Sequence, residues 1–248
     1  MNVQQETDAG RSPLSRFGMV VVQGVGPDPL SSLEASELES GDAGARPDPL
    51  VPVGAGAKRA LDLLAVVPAL LFLSPLFLAL AILIRLESPG PSLFRQQRGG
   101  FGGKPFTIFK FRTMRCEEDG DAVRQAVRGD NRITPLGAFL RRTSIDELPQ
   151  LLNVLRGDMS LVGPRPHALT HDASFAAIVA GYSERFCGKP GLTGLAQING
   201  WRGETDTHEK IVGRVENDVA YVRNWSLWLD VSIIWRTLMM IWRDPMAF

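Results

Sequence analysis

The sequence predicts a mainly helical α+β protein fastened to a membrane at one place. Three observations carry that expectation. Leu63 to Ile84 (LLAVVPALLFLSPLFLALAILI) contains no charge and one hydroxyl, Ser74. At 1.5 Å per residue this run reaches roughly 33 Å, enough for the hydrocarbon core of a bilayer. Pro105 to Met114 (PFTIFKFRTM) alternates apolar with polar residues over part of its length and is rich in aromatic and β-branched types, which predicts a strand. Beyond residue 134, short stretches of helical spacing alternate with glycine- and proline-rich loops.

Taken in order, residues 1–57 read as a disordered acidic extension. They hold three arginines against eight acids, a net of −5, with little apolar periodicity. The apolar run comes next, with Lys58 and Arg59 before it and Arg85 after it. Pro68 and Pro75 interrupt it. Proline removes a backbone donor and crowds the carbonyl one turn back, so Ser74-Pro75 marks a candidate kink whose freed carbonyl the serine hydroxyl can satisfy. A straight span, a bent helix returning to the side it entered and a buried core helix are all open. Basic flanks at both ends do little to choose a side, although their symmetry mildly favours the return.

Glu87 to Pro91 and Gly99 to Gly103 are turns, and residues 117–131 are charged and loop-like. Thr134 to Arg142 and Ser144 to Leu155 read as two short helices. The loop Gly157 to Pro166 leads to a helix near 168–187, a glycine-rich loop over 188–203 and a helix over 206–223. Asn224 to Trp242 holds Trp225, Trp228, Trp235 and Trp242, spaced to share one helical face. Such a stripe suits either a domain core or the headgroup zone of a membrane, and Asp230 and Arg236 argue against a span.

Composition narrows the function. After residue 57 the chain carries 24 bases and 19 acids, a net of +5, suited to an anionic leaflet and anionic substrates. Nothing calls for nucleic acid. Cys116 and Cys187 lack metal or redox spacing and read as free thiols. The three histidines are too scattered to suggest a metal site, and no secretory signal is expected. No GxSxG, P-loop or GxGxxG context is present, which argues against serine hydrolase, P-loop and Rossmann chemistry.

The candidate site starts at Ser144-Ile145-Asp146-Glu147. One reading is a capping box, Ser144 capping a helix and Glu147 reaching back to it. The other is chemical. Adjacent carboxylates diverge by roughly 100° around a helix, so Asp146 and Glu147 would split their roles rather than share a proton. One acts on a reacting centre while the other holds a metal or an orienting base. With Arg141 and Arg142 upstream, the pair suits a Mg²⁺–diphosphate site, because Mg²⁺ is usually held by one or two carboxylates plus phosphate oxygens. Arg165, fixed between Pro164 and Pro166, is presented with little backbone freedom for phosphate recognition. Lys110 and Arg112 share a face of the predicted strand, either as a solvated face or as a second phosphate contact.

These stretches together resemble the bacterial sugar transferases, the monotopic polyprenyl-phosphate phosphoglycosyl transferases. The matching pieces are KRALD, Ser74-Pro75, FKFRTM, LRRTSIDELPQLLNVLRGDMSLVGPRP, KPGLTGLAQINGWRGETD and NWSLWLD, in the family's order over about residues 58–243. The resemblance implies a re-entrant membrane helix over 58–86, broken at Ser74 and Pro75, and a catalytic domain over 87–248 on the cytoplasmic face of the bacterial inner membrane. The implied fold is α+β, mainly helical, with a small β-hairpin and amphipathic interfacial helices.

It also implies transfer of a sugar-1-phosphate from a UDP-sugar to undecaprenyl phosphate, releasing UMP, at the start of exopolysaccharide synthesis. Carried over, Asp146 is the nucleophile, Glu147 assists, and both hold Mg²⁺. Arg141, Arg165, Lys110 and Arg112 bind phosphate, and Lys58 and Arg59 meet the lipid headgroup. GPRPHA and NGWRGETDT resemble glucose-transferring members, so UDP-glucose is expected. The chain departs from many of those members at Thr207-His208-Glu209, where they carry a leucine. Galactose or another UDP-sugar, and a non-catalytic membrane-tethered partner protein, are the alternatives. A homo-oligomer is left open.

Overall fold

The structure is a computed structural model that describes residues 51–115, 130–203, 205 and 207–243, with backbone only for 241–243. Cys116 and nearly all of the loop expected over 117–131 lie outside the described residues, as do residues 1–50 of the expected extension. Residues 51–57 belong to the fold: Val53 N–H donates to Cys187 O at 3.2 Å, and helix α1 (Ala55–Glu87) starts ahead of residue 58.

Helix α1 runs unbroken through both prolines. Pro75 cannot donate to the carbonyl of Leu71, and the Ser74 hydroxyl donates to that carbonyl instead, at 2.8 Å. The hydrogen bond expected of Ser74 is therefore present within a continuous helix. Among the described residues α1 is the one helix long and apolar enough to cross a membrane.

Spacing along α1 decides its packing. Lys58, Asp62, Val66, Leu80 and Ile84 fall at steps close to whole turns and are buried. Val66 packs with Ile108, Leu151, Val154 and Met159, while Leu80 and Ile84 pack with Phe111 and Leu140. The opposite side, including Leu64, Leu71, Phe72, Leu78 and Leu86, is exposed apolar surface. Burying one stripe from end to end holds the helix along the protein body.

Strands β1 (Leu93–Gly99) and β2 (Pro105–Phe111) form the antiparallel hairpin, in register Leu93↔Phe111 to Gly99↔Pro105, with a 3₁₀ turn at Phe101–Gly103. The strand expected to reach Met114 ends at Phe111; Met114 makes an isolated bridge to Ile133. Helices α2 (Pro135–Arg142) and α3 (Gln150–Arg156) flank a 3₁₀ turn, Ile145–Glu147. Then follow β3 (Ser160–Val162), α4 (Leu169–Ala176), a 3₁₀ turn at Tyr182–Cys187, β4 (Gly191–Thr193) and α5 (Leu195–Ile198). Helices α6 (His208–Arg223) and α7 (Leu227–Arg243) complete the chain.

Two expectations need correction here. The helix expected near 168–187 is split, because Gly181 adopts a left-handed conformation between α4 and the 3₁₀ turn. The loop expected over 157–166 contains β3, which pairs in parallel with β4. That pairing needs bare backbone: a Cβ on Gly163 would lie 2.2 Å from Lys189 O.

Helix α7 is two-faced. Ile233 is fully buried, and Trp225, just before the helix, donates to Asp230 at 3.1 Å. Trp228 and Trp235 are 78% and 61% exposed, beside exposed Val231 and Leu238. The tryptophan stripe is thus divided, one indole turned to the core and two turned outward.

Candidate active site

Asp146 and Glu147 sit on the 3₁₀ turn between α2 and α3, which Ser144 enters in a left-handed conformation. Ser144 is the one non-glycine residue with positive φ (56°) among the described residues, a conformation that costs on the order of 1 kcal/mol and persists only when its surroundings impose it. It makes no side-chain cap. The capping-box reading is therefore wrong: the helix expected from Ser144 begins at Gln150, and the Glu147 carboxylate has stronger partners elsewhere.

Those partners are cations. Lys110 Nζ donates to Glu147 Oε1 at 2.7 Å, Arg165 Nη2 to the same oxygen at 2.7 Å, and Arg165 Nη1 to Oε2 at 3.3 Å. Burial opposes ionisation of Glu147, but the Arg165 and Lys110 charges outweigh it and hold the carboxyl well below its usual range. Glu147 in turn strengthens the proton affinity of Arg165.

Asp146 is the opposite case. It is 8% exposed and carries no hydrogen bond or ion pair among the described residues. Burial pushes its carboxyl up to about 6; Lys110 pulls back, Glu147 adds to the rise, and Arg141 and Arg165 pull back less strongly. Two neighbouring carboxylates are thus driven apart, one locked as an anion and one uncommitted, the pattern that assigns distinct chemical roles.

The surroundings fix these positions. Asn153, fully buried on α3, accepts from Phe109 N–H at 3.0 Å and donates to Thr107 O at 2.6 Å, which holds β2 and therefore Lys110 against the turn. Arg185 donates to the backbone carbonyl of Arg165 and to Asp218 Oδ2, at 2.8 Å in the latter case. His167, Tyr182 and Asp172 join this buried network: His167 Nδ1 lies 2.9 Å from the Tyr182 hydroxyl, which donates to Asp172 at 2.5 Å. Burial, then Arg185 and three further arginines, keep His167 neutral.

Of the residues singled out in the sequence, Asp146, Glu147, Lys110 and Arg165 come together, and the Arg141 charge reaches Asp146. Arg112 goes elsewhere. Its guanidinium donates to the carbonyls of Ile84, Ser88 and Pro89, satisfying the carboxyl end of α1. Lys58 and Arg59 are likewise committed to acceptors within the protein. Lys58, 6% exposed, pairs with fully buried Asp230 at 2.7 Å and donates to Tyr221 at 2.9 Å. Arg59 donates to Val154 and Leu155 carbonyls at the end of α3. Asn153, Arg185 and Asp218 were not foreseen; an aspartate inside an apolar helical stripe, as at Asp218 and Asp230, was the one signal that a buried cation must lie opposite.

No group of three or more His, Cys, Asp or Glu side chains suited to a metal occurs among the described residues. The donor set fits Mg²⁺ only where substrate oxygens complete its shell, with Asp146 open and Glu147 shared with two cations.

Comparison with known proteins identifies the family. The family model for bacterial sugar transferases matches residues 53–244. A UDP-glucose:undecaprenyl-phosphate glucose-1-phosphate transferase of Caulobacter vibrioides is 56% identical over 181 residues, 73% of this chain and 68% of that protein. A protein of the same name from Escherichia coli is 50% identical over 77% of this chain, which spans only 41% of that relative's length. An exopolysaccharide production protein of Rhizobium leguminosarum, PSS, is 48% identical over 73% of this chain and 92% of its own. With the match covering all of the site just described, the chain belongs to the bacterial sugar transferase family.

Proposed function

We propose that the protein transfers hexose-1-phosphate, glucose in the first place, from a UDP-sugar to undecaprenyl phosphate, releasing UMP and initiating exopolysaccharide repeat-unit synthesis. The observation that carries this is the uncommitted, buried Asp146 carboxylate beside the Glu147–Lys110–Arg165 cluster. The names of the relatives supply the substrates, and galactose is the near alternative.

In this reading an Asp146 oxygen attacks the phosphorus that bears the sugar, forming an acyl phosphate as the bond to the UMP oxygen breaks. UMP leaves with the electron pair. A phosphate oxygen of undecaprenyl phosphate then attacks the same phosphorus and frees the carboxylate. Splitting the transfer lets two bulky anions use one site in turn. Arg165 has five N–H donors and spends two on Glu147, and Lys110 spends one of three, so both keep donors for phosphate oxygens. Glu147 holds these two cations in place. Mg²⁺, held by Asp146, Glu147 and diphosphate oxygens, would offset charge on the phosphates.

The proposed setting is the cytoplasmic face of the inner membrane, with α1 re-entrant and α7 lying in the interface through Trp228 and Trp235. Support comes from the buried stripe of α1. Both ends of the helix contact one body, Lys58 pairing with Asp230 at one end and Arg112 meeting the Ile84 carbonyl at the other, charged side chains unsuited to the bilayer core. Cysteines introduced on the two flanks of 63–84 should be labelled from the same side of the bilayer, and labelling from opposite sides would restore a span.

A screen of UDP-sugars for UMP release tests the function. The expected result is release that needs undecaprenyl phosphate and Mg²⁺ and is fastest with UDP-glucose. Release of sugar phosphate to water without the lipid would make the protein a phosphatase instead.

A further inference from the structure

Pro164 and Pro166 have no N–H, so the backbone on either side of Arg165 offers carbonyls but no donors. Each of those carbonyls is held from outside the loop. Upstream, β4 takes hold: Gly191 N–H donates to Pro164 O at 2.9 Å, and Gly163 N–H donates to Thr193 O at 2.9 Å. Downstream the bonds are longer and come from the β-hairpin, Arg98 Nη1 donating to Pro166 O at 3.4 Å and Gly99 N–H to His167 O at 3.3 Å. Between these holds, the carbonyl of Arg165 itself is taken by Arg185 Nη2.

A guanidinium is an unusual group to bury for one carbonyl. The Arg185 side chain is 2% exposed, and a charge so deep needs a counter-charge. Asp218 on α6, 1% exposed, supplies it, accepting from Nη2 at 2.8 Å and from Nε at 3.3 Å. Nη1 donates to the Tyr182 hydroxyl at 3.1 Å, and the guanidinium carbon lies 5.1 Å from the Tyr182 ring centroid and 5.7 Å from that of Phe186. All three nitrogens are therefore engaged, on the loop, on α6 and on the 3₁₀ turn. A neutral donor would satisfy the carbonyl without a buried charge. What the ion pair adds is a fixed direction, because a planar fork with three anchors cannot swing without losing one.

We infer that Arg185 and Asp218 are positioning residues for the transfer, setting through the Arg165 carbonyl where the Arg165 guanidinium stands over Glu147 and the substrate phosphates. The inference rests on the proposed use of Arg165 on phosphate. The described bonds of Arg185 and Asp218 reach neither Asp146 nor Glu147, so their action passes through the Arg165 backbone. Precision matters there. The Arg165 fork meets Glu147 at 2.7 and 3.3 Å, and a loop displaced by about 1 Å is enough to break the longer bond and re-aim the donors left for phosphate. Helix α6, remote in sequence from the carboxylates, thus takes part in the chemistry by holding one carbonyl still.

The test is a double-mutant cycle on kcat/KM for UMP release from the preferred UDP-sugar, with undecaprenyl phosphate and Mg²⁺, using the full chain in detergent. Arg185→Met combined with Asp218→Leu removes both charges together, so no ion is stranded in the interior. Arg185→Lys keeps a cation beside Asp218 and loses the fork, and it carries the cycle alone if the first variant does not fold. Each should lower kcat/KM at least about tenfold in a protein whose thermal unfolding shows it folded at the assay temperature. On an Arg165→Lys background the further loss should be about threefold or less, because a flexible ammonium does not depend on a fixed backbone direction. A pair that only stabilises the fold would lower kcat/KM by the same factor on both backgrounds. That result, or an unchanged kcat/KM with Arg165 in place, would overturn the positioning role while leaving the transferase reading intact. A wild type that releases UMP from no UDP-sugar would overturn both.

Discussion

Asp146→Asn keeps the size of a buried side chain and removes its ability to ionise. In the folded protein the carboxyl titrates near 6, against an ordinary 3.8. That difference of about two pKa units corresponds to about 3 kcal/mol at pH 8, an upper figure, because the asparagine amide is itself desolvated. The sign follows from linkage. A carboxyl whose folded pKa is raised binds its proton more tightly in the native state, so the native state loses stability as pH rises through the interval from 3.8 to 6. Asparagine escapes that loss. For a chain of this size about 1–3 kcal/mol is a Tm rise of roughly 3–8 °C. Thermal unfolding followed by tryptophan fluorescence, in one detergent at pH 8 and again near pH 4, measures it. The expected outcome is a protein that releases no UMP and melts higher at pH 8, with the gain gone near pH 4. A lower Tm at pH 8, of the size of a lost helix cap at about 1 kcal/mol, would refute the reasoning and return Asp146 to a structural role.

Three other substitutions test the framework. Lys58→Met strands the fully buried Asp230 carboxylate and should cost about 3–5 kcal/mol, read as a fall in Tm, with much of it recovered in a Lys58→Met, Asp230→Leu double variant. Arg165→Lys keeps the charge but loses the forked grip on Glu147; kcat/KM should drop at least about tenfold with Tm little changed. Asn153→Ala removes both bonds that tie β2 to α3 and should cost about 2 kcal/mol in denaturant unfolding, together with a loss of activity as Lys110 loosens.

Much of the site was legible because its chemistry is local. Asp146 and Glu147 are neighbours, Arg165 is held by adjacent prolines, and Lys110 lies on a strand with a clear pattern. Residue type alone, however, does not say which cation meets which acceptor. Lys110 and Arg112 looked equivalent on one strand face, yet the strand ends at Phe111 and Arg112 turns to the carbonyls at the carboxyl end of α1. Lys58 and Asp230 lie 172 positions apart, and only the fold makes them partners. The parallel pairing of β3 with β4 was hidden for another reason: three-residue strands next to glycine and proline read as loops. Ser144 misled most directly. A serine three residues before a glutamate is the usual mark of a helix start, but here long-range cations take the glutamate and the serine bends into a left-handed turn.

Incubation of the full chain with UDP-glucose in the absence of undecaprenyl phosphate, followed by rapid acid quench and peptide mass spectrometry, tests the covalent step most directly. A hexose phosphate attached to the peptide containing Asp146, lost when the lipid acceptor is added before the quench, is the predicted result. An unmodified Asp146 peptide in a preparation that goes on to form lipid-linked sugar would contradict it.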